Sequence, residues 1–222
     1  IVMGGAALNP DVEKWFMKFK LPFTVGYGMT EAAPLMAYED WWEFASKSCG
    51  KPIDTVEVRI DSEDPYTKVG EIQARGMNIM SGYYKNEEAT KAAFTEDGWM
   101  RTGDLGLLDE KGNIFIKGRS KNMILSANGQ NIYPEEIEAA VNNQPYVIES
   151  VVVDRGARLV ALIYMDSEKA KAEGVDLEEY KKTIMTEVNK SMPAYSKVNV
   201  VEYMAEPFEK TPKMSIKRFM YK

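Results

Sequence analysis

Hydrophobic and polar positions change rhythm twice along this chain, and the changes divide it into three stretches. Residues 1–3 are apolar and stop at Gly4-Gly5, which predicts the end of a buried strand. Asn9-Pro10-Asp11 then offers a cap. Val12, Trp15, Phe16 and Phe19 recur at helical spacing, predicting a helix to about Lys20 with those four on one face. Phe23-Thr24-Val25 reads as a second short strand ending at Gly26. Strand–helix–strand is the remnant of a parallel α/β layer, and ligands of such layers gather beyond the strand ends. From Gly50 to Lys117 the rhythm shortens to alternating strands over residues 56–60, 70–75 and 113–116, with turn clusters at 61–65 and 109–112. That stretch predicts a small distorted barrel, with a helix over 87–94.

After Lys121 the pattern is that of a compact α+β unit. A helix over 135–142 follows Tyr133-Pro134, with two glutamates in its first turn where the helix dipole favours them. Strands over 147–153 and 158–165 should pair antiparallel. A helix over 177–191 carries Leu177, Tyr180, Ile184 and Val188 on one stripe, and a third strand over 197–203 leads into a basic tail. The expected organisation is therefore an α/β and barrel portion, 1–120, followed by a small mobile α+β domain, 121–222.

Composition narrows the chemistry. With 28 basic and 34 acidic residues the net charge is −6, which argues against non-specific nucleic-acid binding. There is no histidine, so no imidazole base and no His-ligated zinc; a metal here would be a hard ion on oxygen ligands, magnesium first. The lone Cys49 excludes an internal disulfide framework and fits a reducing, cytoplasmic setting. No apolar run approaches the roughly 18–20 residues of a membrane helix, which leaves peripheral membrane contact open. The chain opens at Ile1 inside an apolar stretch, and the expectation is a cut through a larger protein.

Three blocks carry candidate chemistry. In Gly26-Tyr-Gly-Met-Thr-Glu31, the glycines let backbone turn sharply beside a ligand and Tyr27 offers a flat face for a base; Thr30 adds a hydroxyl and Glu31 a carboxylate for a hard cation. An ordinary strand–turn with a surface glutamate gives the same letters. In Gly98-Trp-Met-Arg-Thr-Gly-Asp104, the carboxylate of Asp104, at the end of a turn, can accept both hydroxyls of a ribose, or simply cap that turn. Lys117-Gly-Arg-Ser-Lys121 is a basic cluster at the domain boundary, and Asn128-Gly129 beyond it is a strong turn dipeptide.

In this order and spacing the blocks, together with Asn128-Gly-Gln-Asn-Ile-Tyr-Pro-Glu-Glu-Ile-Glu138, resemble the adenylate-forming enzymes that activate carboxylic acids with ATP and pass the acyl group to coenzyme A. The nearest likeness is to the long-chain fatty acid–CoA ligases. The resemblance implies adenine stacking on Tyr27, with Gly5, Ala6, Gly28, Met29 and Ile116 also lining the nucleotide site. It implies phosphate contact at Thr30, Mg2+ at Glu31, ribose at Asp104, and ribose or phosphate at Arg119. Lys121 would be a hinge, and Ser126, Gly129 and Gln130 would border the coenzyme A channel. A fatty acid and coenzyme A are the implied partners. Aryl-CoA ligases, other adenylating modules and a nucleotide-binding module without turnover share the same motifs.

The tail departs from the pattern. It reads Thr211-Pro-Lys-Met-Ser-Ile-Lys-Arg218, with Ser215 where the family places its adenylation lysine. Lys217 and then Lys213 are the candidate catalytic replacements, two residues away on either side and facing the same way if the segment is a strand. The family's upstream phosphate loop is missing, so the resemblance implies the C-terminal part of such an enzyme, inactive alone.

Overall fold

The computed structural model describes residues 1–5, 7–212 and 214–221. They form two compact units, Ile1–Lys121 and Asn122–Lys222. Among the described residues, no helix is long and apolar enough to cross a membrane.

The first unit opens as the sequence predicts. Strand β1 (Val2–Met3) lies parallel to β2 (Thr24–Val25), joined through helix α1 (Pro10–Lys18). The Asn9 side chain accepts from the N–H groups of Asp11 and Val12, and Pro10 fits the first turn because it has no N–H to waste. Glu13 is buried, accepting from the Ser46 hydroxyl at 2.5 Å and the Lys47 N–H at 2.9 Å, whereas Val12, Trp15 and Phe19 are exposed. Phe16 alone of the expected four turns inward, onto Phe23. Ile1 and Val2 are exposed as well, so β1 is not the buried strand end expected.

Two antiparallel sheets follow. The first orders β3 (Tyr27–Gly28), β4 (Leu35–Tyr38) and β5 (Lys51–Pro52). The second is a meander of β6 (Val56–Asp61), β7 (Gly70–Gly76), β8 (Met100–Leu108) and β9 (Ile114–Arg119), with α2 (Glu87–Ala93) between β7 and β8. They do not close into the expected barrel. They meet at a corner where the Cys49 N–H donates to Ile114 O and the Ile114 N–H to Gly50 O, at 2.8 and 2.9 Å. Their shared core contains Met36, Ile72, Met100 and Ile114, none more than 1% exposed.

In the second unit, hairpin β10 (Ile124–Leu125) and β11 (Asn131–Ile132) precedes α3 (Pro134–Asn142). Strands β12 (Val147–Asp154) and β13 (Leu159–Met165) pair antiparallel. Helices α4 (Ser167–Ala172) and α5 (Leu177–Lys190) then lead to β14 (Val200–Tyr203), parallel to β13. Side chains alternate across a strand, so β13 feeds two cores. Ala161 and Ile163 meet Ile137, Val141, Ile184 and Val188; Val160 and Leu162 meet Phe208 and Tyr221 of the C-terminal segment. The tail is thus the cover of the sheet's second face.

Candidate functional site

Three residues remote in sequence meet in the first unit. Asp104 stands inside β8, not at a turn end: Gly103 (φ +70°) makes a bulge there, which reads as a turn in the sequence. The antiparallel register sets Asp104 opposite Arg119 of β9, whose Nε lies 2.9 Å from Asp104 Oδ1. The Tyr27 hydroxyl donates to Asp104 Oδ2 at 2.7 Å. Asp104 is buried but Arg119 is half in solvent. Burial first, and then the Asp104 charge, raise the Tyr27 phenol well above its ordinary range, so it remains a donor. A carboxylate has about four acceptor positions. Tyr27 and Arg119, one at each oxygen, fix the orientation of the Asp104 carboxylate. Ile116, on the same strand as Arg119, is partly exposed.

The glycines around Tyr27 prove unequal. A Cβ on Gly28 would lie 1.9 Å from Pro34 O, so close packing of β3 on the following segment already requires glycine there. Gly5 is exposed at φ +84°, and Ala6 lies outside the described residues.

After Met29 the chain makes a single 3-10 turn, Thr30–Ala32. Thr30 is exposed. Glu31 is half-buried and accepts from the Tyr83 hydroxyl at 3.1 Å through Oε1. Tyr83 was not singled out by sequence reasoning, although Gly82-Tyr83 repeats the Gly–Tyr pair that marks Tyr27. Among the described residues no cluster of three or more Cys, Asp or Glu side chains is arranged to hold a metal.

The remaining candidates divide between the units. Lys121 is exposed at the end of the first. Ser126, Gly129 and Gln130 sit in the β10–β11 hairpin: Gly129 takes the left-handed turn conformation at φ +73°, and the Ser126 hydroxyl accepts the Gln130 N–H at 2.9 Å. The turn reading of Asn128-Gly129 therefore holds. In the tail, Lys210 and Ile216 form a bridge around a tight turn in which Met214 has φ +61°. That left-handed residue stands immediately before Ser215, Ile216 makes only an isolated bridge and Lys217 caps a 3-10 turn, so Ser215 and Lys217 do not lie in the strand that would give them one face. Ser215 is exposed, the Lys217 ammonium donates to Glu209 at 3.0 Å, and Lys213 lies outside the described residues.

An α/β layer with antiparallel sheets, followed by a compact α+β unit, is the fold of adenylate-forming enzymes. The family model for AMP-binding enzymes matches residues 1–84, and that for the AMP-binding enzyme C-terminal domain matches 121–221. The chain belongs to this family. A long-chain-fatty-acid–CoA ligase of Mycobacterium bovis is 36% identical over 168 residues, 75% of this chain and 27% of that protein. 4-coumarate–CoA ligase 3 of Oryza sativa is 34% identical over 237 residues, 98% of this chain and 41% of that one. The o-succinylbenzoate-CoA synthetase of Bacillus subtilis, in complex with its acyl-adenylate intermediate, superposes with a TM-score of 0.85 at 25% identity, over 100% of this chain and 45% of the other. The chain thus spans less than half the length of these relatives.

Proposed function

We propose that this chain is part of an ATP-dependent acid–CoA ligase whose acid is a long-chain fatty acid. A substrate carboxylate attacks the α-phosphorus of ATP, pyrophosphate leaves, and the thiol of coenzyme A then displaces AMP to give the thioester. In this reading 1–120 and 121–222 are the working domains and Lys121 their hinge. The observation that carries it is Asp104, buried and oriented at both oxygens by Tyr27 and Arg119, the carboxylate this reading gives to the ribose hydroxyls. Tyr27, Gly5 and Ile116 border the base, and Thr30 and Arg119 serve the phosphates. The Ser126–Gln130 hairpin borders the pantetheine arm.

A single half-buried carboxylate with one oxygen committed to Tyr83 suits magnesium, which keeps most of its waters and takes one or two carboxylates plus nucleotide phosphates. Glu31 would hold it, and the ion would supply charge neutralisation at the phosphates. Lys217 is the lysine of adenylation here once its bond to Glu209 opens; a cation aimed at developing charge is commonly worth about a hundredfold in rate. A cytoplasmic setting completes the reading. The wider coverage by the 4-coumarate ligase, 98% of this chain against 75%, supports an aromatic acid as the second reading.

The test is acid-dependent ATP–pyrophosphate exchange by the complete product of the gene that encodes this chain, across fatty acids of graded length and hydroxycinnamates. Exchange greatest with long chains is expected, falling about a hundredfold in Lys217→Ala. Exchange with hydroxycinnamates alone would select the second reading, and AMP binding without exchange for any acid would sink both.

A further inference from the structure

Glu31 lies on a turn with only one helical hydrogen-bonding step on either side: the Ala32 N–H donates to Met29 O at 2.9 Å and the Ala33 N–H to Thr30 O at 3.3 Å. Ala33 closes it in the left-handed conformation, φ +49°. Such a turn has little rigidity of its own, yet a segment some fifty positions away holds it at three points and Leu35 just beyond it at a fourth. The Met80 N–H donates to the Glu31 carbonyl at 2.8 Å. The Asn78 amide donates to Ala32 O at 2.7 Å and to Leu35 O at 2.9 Å. The Tyr83 hydroxyl reaches the Glu31 carboxylate itself. Tyr83 is anchored in turn, its N–H donating to Thr90 Oγ1 at 2.8 Å, while that same hydroxyl donates to Asn86 O at the start of α2. Gly82 has φ +152°, and a Cβ there would lie 2.6 Å from the Thr90 methyl, so the segment is seated closely on α2.

We propose that Tyr83 is a positioning residue for the cation-binding carboxylate: its hydroxyl occupies Glu31 Oε1 and leaves Oε2 as the oxygen presented to magnesium and the nucleotide phosphates. The inference rests on the assignment of Glu31 as the cation ligand. Its chemistry is that of an outer partner fixing a ligating carboxylate: the neutral phenol donates one hydrogen bond, takes no charge from the carboxylate, and removes a rotational freedom that binding would otherwise have to freeze. The Asn78 and Met80 contacts fix the main chain, so losing the phenol should loosen the side chain and leave the turn in place.

The test uses the complete gene product bound to a non-hydrolysable ATP analogue. Mn2+ serves as the probe, its free concentration read by electron paramagnetic resonance. Tyr83→Phe should weaken Mn2+ binding about tenfold, the lower range for loss of such a partner. Binding of AMP without metal, and the melting temperature, should stay near wild type. Glu31→Ala should weaken Mn2+ binding further, and adding Tyr83→Phe to it should then change nothing. Wild-type Mn2+ affinity in Tyr83→Phe, with a large loss in Glu31→Ala, would overturn the role of Tyr83 alone. No loss in Glu31→Ala would overturn the magnesium assignment beneath it. Equal losses of Mn2+ and AMP binding in Tyr83→Phe would make the tyrosine merely structural and also overturn the proposal.

Discussion

Two arginine–carboxylate pairs in this chain have the same chemistry and different surroundings. In the second unit Arg218 forks onto Glu138, one bond measuring 2.7 Å, and the side chains are 19% and 9% exposed. Glu138 also accepts the Val152 N–H at 2.6 Å, a donor on β12 that points away from β13 at the edge of the sheet. In the first unit Arg119 meets Asp104 through Nε, and its side chain is 48% exposed. The first pair is closed, and its function is to seal the edge of β12 and tie the tail to α3. The second is open on the arginine side. A buried ion pair by itself therefore says little about function; what differs is whether the surroundings leave approach for another molecule.

The largest effect should come from the closed pair. Glu138→Ala leaves a mostly buried guanidinium and an edge N–H without their acceptor, at a cost of about 3–5 kcal/mol. Thermal denaturation of the gene product should show it, with hydrogen exchange quickening first in α3 and β12. Replacing both partners by methionine should recover part of the loss, because no orphaned charge remains. The Val152 donor still lacks an acceptor, so recovery should be incomplete. A Glu138→Ala protein melting like wild type would erase the contrast between the pairs.

Asp104→Asn should do the reverse. Arg119 is exposed enough to be solvated alone, and the amide oxygen can still accept from Tyr27, so the melting temperature should barely move. AMP affinity, measured by calorimetry on the gene product, should fall about 10–100-fold, the range for losing hydrogen bonds to a charged acceptor. If AMP binding survives intact, Asp104 is a structural partner of Arg119 and nothing more.

Local signals made much of this legible. The Asn9 cap, the proline-led α3 and the long apolar run of β13 are each decided by neighbouring residues. Misreadings arose where distant residues decide. Thr102-Gly103-Asp104 spells a turn locally, but β7 and β9 on either side hold it in a strand and absorb the glycine as a bulge. Periodicity put Val12, Trp15 and Phe19 on one face of α1 correctly, but cannot say which face is covered. Ser46 and Lys47 settle that by taking Glu13 inward. The tail read only as basic; its anchors, Phe208 at 3% exposed with Tyr221 against it, show in the fold and not in the charge pattern. Tyr83 escaped because its partner, Glu31, is 52 positions away.

The smallest effect gives a view of Asp104 that needs no ligand. Cys49 flanks the corner between the two sheets, and burial, with Asp104 adding to it, pushes its thiol up to about 11 from an ordinary 9.0. Only the thiolate reacts with iodoacetamide, so two units of pKa make Cys49 about a hundredfold slower than an ordinary thiol near pH 8. Its rate should still climb above pH 10, followed by the mass of the peptide that carries it. Asp104→Asn removes a negative charge, which lowers the thiol pKa and shifts that rise toward neutral pH, whereas Glu138→Gln, in the other unit, should leave it unmoved. A rise unshifted by Asp104→Asn would mean that burial alone sets the thiol, and that Arg119 neutralises the carboxylate more completely than its own exposure to solvent suggests.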